Sequence, residues 1–308
     1  MLVTLSEILQ LAEAKKCAVG SFNTPNLESI MAVIGAAEEL NVPVIIMHAE
    51  VHEPMMPISV IGPIMIERAK AAKVPVCVHL DHGETLAYLD KALNIGFTSV
   101  MFDGSKYDFE ENIRLTKEVV DYAHAHGVVV EAELGKLAGI EDDVNVAASD
   151  AMYTDPDQAE EFVRRTGCDS LAIAIGTSHG AYKFKGEARL RFDILAKVKE
   201  KLPNTPIVLH GASSVIPRLV EMCNENGGNI PGAKGCPNEM LKQAGENGVS
   251  KINVDTDLRL AMTAQVRRVF NEDPSIFDPR KYLGAARAEI KETVSDKINN
   301  VFCSANKA

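Results

Sequence analysis

The sequence has no long hydrophobic run, no paired cysteine motif and no biased segment, and each absence excludes a class of protein. No apolar stretch approaches the roughly 18 residues that a transmembrane helix needs. The N-terminal segment 1–16 has acidic residues and no basic leader, so we expect an amphipathic helix there rather than a signal peptide. No Pro/Ser-rich linker interrupts the 308 residues, which predicts one domain over residues 1–308.

The cysteines lack CxxC spacing, and several lie inside apolar runs. This pattern predicts buried thiols in a reducing cytoplasm rather than disulfides or a thiolate metal site. The six residues are Cys17, Cys77, Cys168, Cys223, Cys236 and Cys303.

Positive charge is also in short supply. Lys plus Arg number 32 and Asp plus Glu number 43, which gives a net charge of −11 and disfavours nucleic acid and anionic membranes as partners. An anionic small substrate therefore needs a local positive site. A chain of this length buries roughly 75% of the surface that it exposes when unfolded, so the core needs no structural metal, and any metal can serve chemistry.

Short, nearly continuous apolar runs alternate with segments of helical period. Such runs are typical of strands buried on both faces, joined by crossover helices such as 26–40, 110–126 and 155–165. The eight predicted strands lie near 18–22, 43–48, 75–80, 99–102, 128–133, 170–175, 206–210 and 250–254. Eight β-then-α units predict an α/β fold of the (β/α)8 TIM-barrel type, with an extra N-terminal helix and a C-terminal helical extension. The alternative, a doubly wound sheet, lacks its Gly-x-Gly-x-x-Gly fingerprint.

Two loops exceed what such a barrel needs. One is Gly135–Met152, after the fifth predicted strand, and the other is Gly227–Pro237. Because long loops in compact domains are often functional, we expect the first to be a lid.

Chemistry in such barrels lies at the C-terminal ends of the strands. The predicted strands deliver there a set of carboxylates, imidazoles and an amide: Asp81, His82, Glu131, Glu133, His179, His210, Asn253 and Asp255. Three imidazoles from three strands, beside carboxylates, favour a catalytic zinc site with an open position. Singly, each histidine is more often a capping or core residue.

An anion site is predicted next to this metal site. Small or hydroxyl-bearing residues on neighbouring loops offer backbone N–H groups and helix N-termini: Gly180, Gly211, Ser213, Ser214 and Thr256. Lys183 and Arg259 add positive charge, although each alone is equally well explained as a solvated surface charge.

Seven segments in order resemble the zinc-dependent, class II ketose-bisphosphate aldolases over essentially the whole chain. They are HLDHG (79–83), VEAELG (130–135), AGIEDD (138–143), YTDP (153–156), SLAIAIGTSHGAYK (170–183), VLHGASS (208–214) and KINVDTDLRLA (251–261). The resemblance implies Zn²⁺ on His82, His179 and His210, and reversible cleavage of a ketose bisphosphate, with zinc stabilising the enediolate. It implies Asp81 as general acid/base and Glu141 as the loop acid that exchanges a proton with the dihydroxyacetone phosphate carbon.

The same resemblance implies the rest of the site. The substrate-binding residues expected from it are Asn23, Gly180, Lys183, Gly211, Ser213, Asn253, Asp255, Thr256 and Arg259. Arg259 resembles a residue that reaches the second phosphate from a neighbouring subunit, which implies a homodimer or homotetramer. Glu133 resembles a carboxylate that holds the metal in a withdrawn position. A monovalent cation at main-chain carbonyls near Gly180 and Gly211 is expected as in some relatives, and a place in glycolysis and in the cytoplasm is also implied.

Substrate identity depends on finer features. Asp255 in NVDTD, the insertion 227–237 and the segment 278–287 resemble the fructose-bisphosphate branch, so fructose 1,6-bisphosphate is the first choice. Tagatose and sedoheptulose bisphosphates stay open as alternatives, as do cobalt or iron in place of zinc. A catalytically silent sugar-phosphate-binding protein is a further alternative, against which the retained Asp81 and three ligand histidines argue.

One segment departs from the family pattern, and one alternative mechanism has to be considered. In MHAEVHEPMMP (47–57), Ala49 stands where relatives usually offer a small hydroxyl residue. The nearby His48, Glu50, His52 and Glu53 form a pocket wall, a second metal site or, as the more common case, a plain surface loop. A lysine Schiff-base aldolase would need a desolvated lysine in the barrel mouth, and Lys251 lies at the start of its predicted strand, the wrong end.

Overall fold

The computed structural model describes residues 1–141, 144–146, 152–182 and 189–303. Its strands are β1 Leu2–Val3, β2 Val19–Asn23, β3 Val44–Ala49, β4 Val76–Gly83, β5 Ser99–Phe102, β6 Val129–Leu134, β7 Ala138–Glu141, β8 Val144–Val146, β9 Ser170–Ile173, β10 Ser178–His179, β11 Ile207–Leu209 and β12 Val249–Val254. Its helices are α1 Leu5–Lys15, α2 Leu27–Leu40, α3 Ile58–Ala71, α4 Leu86–Ile95, α5 Phe109–Ala125, α6 Pro156–Thr166, α7 Phe192–Lys201, α8 Pro217–Glu225, α9 Asn238–Glu246, α10 Thr256–Glu272 and α11 Pro279–Asn300, with a 3-10 turn at Glu50–His52.

Eight parallel strands close into a barrel, in the order β4, β3, β2, β12, β11, β9, β6 and β5, with β5 pairing back to β4. The predicted TIM barrel and its eight strands are therefore confirmed. The buried apolar residues of the strands and surrounding helices form one large cluster between the two layers. This packing explains the continuous apolar runs, since each strand is covered on both faces.

The N-terminal end of the barrel is closed by α1. Thr4 caps this helix, and Glu7 completes the capping box, which satisfies the first orphan N–H groups. The helix buries Leu5, Ile8 and Leu9 in a second apolar cluster with inward residues of the strands. The predicted N-terminal helix is confirmed, but it begins at Leu5, because Leu2–Val3 pairs with β4 as a short extra strand. At the other end of the sequence, α11 packs against α2 and α10.

The prediction that all six cysteines are thiols is wrong for two of them. Cys17 and Cys303 form a disulfide; their Cα atoms are 5.3 Å apart, and the two residues are 286 positions apart in the sequence. The fold brings them together, because the segment after α11 returns to the base of β2, where the Cys303 N–H donates to the Ala18 carbonyl (2.9 Å). The other four cysteines are buried and form no disulfide.

The predicted lid contains regular structure. β7 and β8 pair antiparallel, with Glu141 opposite Val144, and β7 also pairs with β10, which carries His179. The long segment after β6 is thus attached to a strand end of the barrel rim. Within the described residues, no helix is long and apolar enough to cross a membrane.

Candidate active site

The C-terminal ends of the barrel strands bring the predicted catalytic groups together. Asp81 and His82 end β4, Asn23 ends β2, His210 follows β11, and Asn253 lies near the end of β12. Of these, only His82 is more than marginally accessible, and the others are buried. The site is therefore a set of polar side chains inside the barrel mouth.

A bulge at the end of β4 allows Asp81 and His82 to serve the same site. Successive side chains of a regular strand point to opposite faces. The register of β4 against β5 shifts between Leu80 and Gly83, and His82 has a positive φ of 41°. Gly83 has no room for a side chain, since a Cβ would lie 2.7 Å from the Met101 carbonyl oxygen. The positive φ of His82 is strained for a non-glycine residue, and such strain is concentrated at functional sites.

Two histidine nitrogens face each other at the centre of the site. His82 Nε2 lies 2.9 Å from His210 Nδ1, and the two rings are nearly perpendicular. The second nitrogen of each ring is held by a carboxylate: His82 Nδ1 by Asp103 (2.9 Å) and His210 Nε2 by Glu131 (2.8 Å). Carboxylates on the outer nitrogens fix ring orientation and leave the inner nitrogens to a metal, as in carboxylate–histidine–zinc arrangements. Together with an Asp81 oxygen, these nitrogens form a group close enough to hold one ion.

The surroundings of the two rings favour a proton on His82 over one on His210. Burial lowers the pKa of His82, but Asp81, Asp103 and Glu133 outweigh this and raise it to about 10. Burial and the neighbouring His82 hold the pKa of His210 well below its usual range. One ring donates and the other accepts, so a cation at this point takes the place of a proton.

A buried ion pair lies one layer below the histidines. Lys251 Nζ contacts both oxygens of Glu131 at 2.9 and 3.0 Å, and neither side chain is exposed. Lys251 also lies 3.5 Å from His79, whose Nδ1 contacts Ser99 on the neighbouring strand β5. The sequence placed Lys251 at the start of its strand, away from the barrel mouth. In the structure its side chain lies inside the barrel, where it is paired with Glu131, the carboxylate that also contacts His210.

Asp81 is held as a carboxylate by two amides. Asn23 Nδ2 donates to its Oδ2 (3.1 Å) and Asn253 Nδ2 to its Oδ1 (3.0 Å). Burial raises the pKa of Asp81, but His82, His210 and Lys251, with the hydrogen bond from Asn23, more than offset this and lower it. The group is therefore ionised at neutral pH and can accept a proton.

Glu133 lies in a second cluster with His82 and Asp103, whose ligand atoms also lie close enough to hold an ion. Its Oε2 is buried without a hydrogen-bond partner among the described residues. Burial, with the nearby Asp103, Glu131 and Asp81, raises its pKa well above the usual range. A buried carboxyl group with a raised pKa, and with one oxygen that has no hydrogen-bond partner among the described residues, is suited to a cation that binds beside it.

The predicted anion loops meet across the mouth. Gly211 has a positive φ of 60°, and a Cβ there would lie 2.8 Å from the Ser178 backbone, so the close approach requires glycine. Gly180 also has a positive φ, of 79°. Ser213 Oγ accepts from the backbone N–H of Asp255, the N-cap of α10, and Thr256 begins that helix. A helix N-terminus and loop N–H groups near one another suit an anion.

Arg259 is half-exposed and pairs with Asp255 at 2.6 Å within the same chain. The structure therefore shows an intrachain contact for this residue, and its predicted reach into a neighbouring subunit stays a prediction. Three other predicted residues cannot be placed by their side chains. Glu141 and His179 are described by their backbone alone, in β7 and β10, and Lys183 lies outside the described residues.

The 47–57 segment uses its polar side chains to hold the fold. Glu50 accepts from the N–H groups of Glu84 and Thr85, at the start of α4. Glu53 accepts from the Ile58 N–H, at the start of α3, and from the Tyr88 hydroxyl.

The two imidazoles of this segment also face the protein. His48 Nε2 lies 3.2 Å from the Tyr88 hydroxyl, and His52 Nδ1 accepts from the Ala49 N–H. Among the described residues these four side chains form no group that could hold a metal, so the second-site alternative is not supported. Ala49 is the inward residue, in register with Asp81.

Sequence reasoning missed Asp103. It placed Glu131 at a strand end but gave neither Glu131 nor Lys251 a role in the site. Glu131 had a signal, since it lies two positions before Glu133 and so shares its inward face. For Asp103, the only indication in the sequence of a role in the site was its position directly after β5.

Comparisons with known proteins agree with this geometry. The family "Fructose-bisphosphate aldolase class-II" matches residues 3–307. The fructose-bisphosphate aldolase of Thermus caldophilus is 49% identical over 310 residues, covering both chains completely, and that of Helicobacter pylori is 45% identical over 308 residues, also with complete coverage. The crystal structure of the YdjI aldolase from Escherichia coli K12 superposes with a TM-score of 0.82 at 37% identity, covering 100% of both chains.

Proposed function

The chain belongs to the class-II fructose-bisphosphate aldolase family and is an aldolase, a carbon–carbon lyase, and from this premise we propose that it reversibly cleaves fructose 1,6-bisphosphate to dihydroxyacetone phosphate and glyceraldehyde 3-phosphate. One observation carries the proposal. Asp81, His82 and His210 converge inside the barrel mouth, next to loops suited to a phosphate. The alternative sugars and the silent binding protein are not favoured by the relatives.

The family is metal-dependent, and we propose zinc as the ion. His82 and His210, with His179, would hold it, because two imidazole nitrogens already face one another with their outer nitrogens fixed by carboxylates. A divalent ion supplies Lewis-acid stabilisation of the negative charge that develops on the substrate oxygens. Glu133 supports the withdrawn metal position, because its pKa is raised and its Oε2 has no hydrogen-bond partner in the described part of the chain.

Asp81 performs the central proton transfer in this proposal. Its carboxylate takes the proton of the C4 hydroxyl when the C3–C4 bond breaks, and returns that proton when the bond forms. Asn23 and Asn253 hold both oxygens by hydrogen bonds, which orients the group and keeps it ionised. Glu141 exchanges the proton of the dihydroxyacetone phosphate carbon.

The phosphate of the dihydroxyacetone phosphate half binds where glycine loops meet the start of α10. Gly180, Gly211 and Ser213 offer N–H and hydroxyl donors, and Thr256 adds the helix N-terminus. Lys183 and Asn253 are the other phosphate-binding residues in this proposal. Asp255, paired with Arg259, favours fructose 1,6-bisphosphate, and Arg259 of a neighbouring subunit receives the second phosphate.

Four further properties belong to the proposal: one aldolase domain over residues 1–308, a homodimer or homotetramer, a monovalent cation near Gly180 and Gly211, and a glycolytic role in the cytoplasm. The four buried cysteines outside the disulfide support a reducing compartment, whereas the Cys17–Cys303 bond argues against it. Thiol trapping in intact cells decides this point, since a fully reduced Cys17 in the cell favours the cytoplasm.

The test is a cleavage assay with fructose, tagatose and sedoheptulose bisphosphates, with and without a chelator, alongside metal analysis. We expect the fructose sugar to have the highest kcat/KM. Chelation should abolish activity, and Zn²⁺ should restore it. Chelator-resistant activity with borohydride trapping of a lysine adduct would overturn the mechanism, and a higher kcat/KM for either other sugar would overturn the substrate.

A further inference from the structure

The loop that follows β11 contains a strained bend beside the proposed phosphate site. Val215 has a positive φ of 51° and is fully buried. For a β-branched residue this left-handed conformation is a genuine outlier, and it persists only where the surroundings enforce it. The bend comes two residues after Ser213, so whatever holds Val215 also fixes the direction of the loop.

A buried carboxylate accepts hydrogen bonds from the residues on both sides of the bend. The N–H of Ser214 donates to Asp257 Oδ2 (2.9 Å), and the N–H of Ile216 donates to Asp257 Oδ1 (3.3 Å). These two residues flank Val215. Asp257 is the second residue of α10 and is completely buried, so its charge needs a partner inside the protein.

That partner comes from the last helix. Lys297 Nζ lies 2.8 Å from Asp257 Oδ2 and donates to Ser214 Oγ at 2.8 Å, and no part of either charged side chain is exposed. A lysine fully buried in this way is rare unless paired. Lys297 thus neutralises the carboxylate and contacts the loop directly, although α11 lies outside the barrel.

The insertion that stood out in the sequence supports the loop from its other side. Gly235 passes so close that a Cβ there would lie 2.3 Å from the Ser214 carbonyl carbon. The Cys236 N–H donates to the Ser213 carbonyl (3.1 Å), and Ser214 Oγ contacts Asn238 at 2.5 Å. Residues 213–216 are therefore held between the 227–237 insertion and the Asp257–Lys297 pair.

We propose that Lys297 is a positioning residue for phosphate binding: with Asp257 it holds the Val215 bend, and thereby holds the Ser213 N–H and hydroxyl in the geometry that receives the phosphate of the substrate. This inference rests on the proposed function only in assigning the phosphate to this loop. It gives the C-terminal helix a role in substrate affinity, acting through the loop rather than by contact with the substrate.

The test compares Lys297→Met with the wild-type metal-loaded enzyme. We expect KM for fructose 1,6-bisphosphate and Kd for dihydroxyacetone phosphate to rise about tenfold, with kcat within about threefold, because a pre-formed binding contact is lost rather than a catalytic one. Bound metal should not change. Hydrogen exchange of the peptide covering 212–217 should become faster.

Glu289→Gln is the matched control. Glu289 is also a buried charge on α11, paired with Arg218 and bonded to Gln265, and it contacts neither Ser214 nor Asp257. It should lower stability while leaving KM and the exchange of 212–217 unchanged. If Lys297→Met does not accumulate folded, Lys297→Gln, which keeps a donor, takes its place with the same measurements.

An unchanged KM in the Lys297 variant, or an equal rise in KM for Glu289→Gln, overturns the proposal. Binding of inorganic phosphate to both metal-loaded proteins separates this failure from failure of the proposed substrate. If the wild type binds phosphate but does not cleave fructose 1,6-bisphosphate, the substrate is wrong, while weaker phosphate binding by the Lys297 variant still supports the positioning role.

Discussion

The two ends of the barrel bury different kinds of side chain. The C-terminal end holds carboxylates, imidazoles and amides, such as Asp81, His210 and Asn253, buried and linked by hydrogen bonds. The N-terminal end is an apolar cluster sealed by α1, with Leu5 and Leu9 among its members, and the Cys17–Cys303 bond beside it. Below the mouth, the buried polar groups continue to the Lys251–Glu131 pair and His79.

This division separates chemistry from stability. Burying a polar group costs free energy unless the group forms a hydrogen bond. Each polar side chain of the site therefore depends on the particular partners that the fold provides. The apolar end contributes burial that needs no such network. Changes at the mouth should therefore alter activity with little loss of stability, and changes at the base should do the reverse.

The largest expected effect is at the mouth, from Asp81→Asn. It removes the proposed proton acceptor while keeping shape, so kcat should fall about 10³-fold, because general acid–base groups contribute 10²–10⁴. The midpoint of thermal unfolding should not fall, since a buried charge is removed. Steady-state kinetics with metal analysis and a melting curve check this, and near-normal kcat at full metal content would break the contrast.

At the base, Leu9→Ala should lower the free energy of unfolding by about 3 kcal/mol, because it leaves a cavity under the barrel. Denaturant titration measures the loss, and kcat should equal that of the wild type at a temperature where both are folded. Gln10→Ala, at an exposed position on the same helix, is the control and should leave stability unchanged. A kcat that drops with Leu9→Ala would show that the two ends are not independent.

The disulfide gives a similar or somewhat smaller effect. Cys303→Ser should lower the free energy of unfolding by about 2–3 kcal/mol, since the unfolded chain regains freedom that the cross-link removes. Adding dithiothreitol should lower the melting temperature of the wild type and leave that of the variant unchanged. Equal melting temperatures of wild type with and without reductant would refute the cross-link as a stabilising contact.

The smallest effect concerns His48, which lies near the C-terminal end of β3 but contacts Tyr88 of α4 rather than the catalytic groups. Burial and the neighbouring His52 lower its pKa to about 3. In the unfolded state His48 has a pKa near 6.5 and is protonated first as the pH falls. The contribution of neutral His48 to the free energy of unfolding is therefore present above pH 6.5 and is lost as the pH falls toward 3. Between pH 6.5 and 5.5 the wild type should lose about 1 kcal/mol more unfolding free energy than His48→Gln. Urea titrations at the two pH values measure the difference, and parallel losses would contradict it.

The barrel could be predicted because its strands carry their own signal. Each strand is covered on both faces, so β-branched apolar runs such as 43–48 and 206–210 mark them without any knowledge of their neighbours. The two-residue β1 and the β7–β8 hairpin were not predicted, because such short strands form only where a neighbouring strand offers a partner.

Parts of the candidate site had a weaker sequence signal. Asp81, His82 and His210 stand at strand ends, where chain order alone indicates convergence. Asp103 was not predicted, and Glu131 and Lys251 were given no role, because their importance depends on which ring or charge each one contacts in the folded barrel. Whether consecutive Asp81 and His82 face the same way depends on the bulge at His82, which no periodicity indicates.

The sequence by itself determined the eight-strand alternation, the set of polar residues at the strand ends and the acidic total, since these depend on local propensity and composition. Only the tertiary structure decided which partners those residues have: Cys17 with Cys303, Glu131 with Lys251 and His210, and Asp257 with Lys297. The physical reason is distance along the chain. A buried charge or thiol is satisfied by whatever group the fold brings within bonding distance, and in these pairs that group lies 40 to 286 residues away.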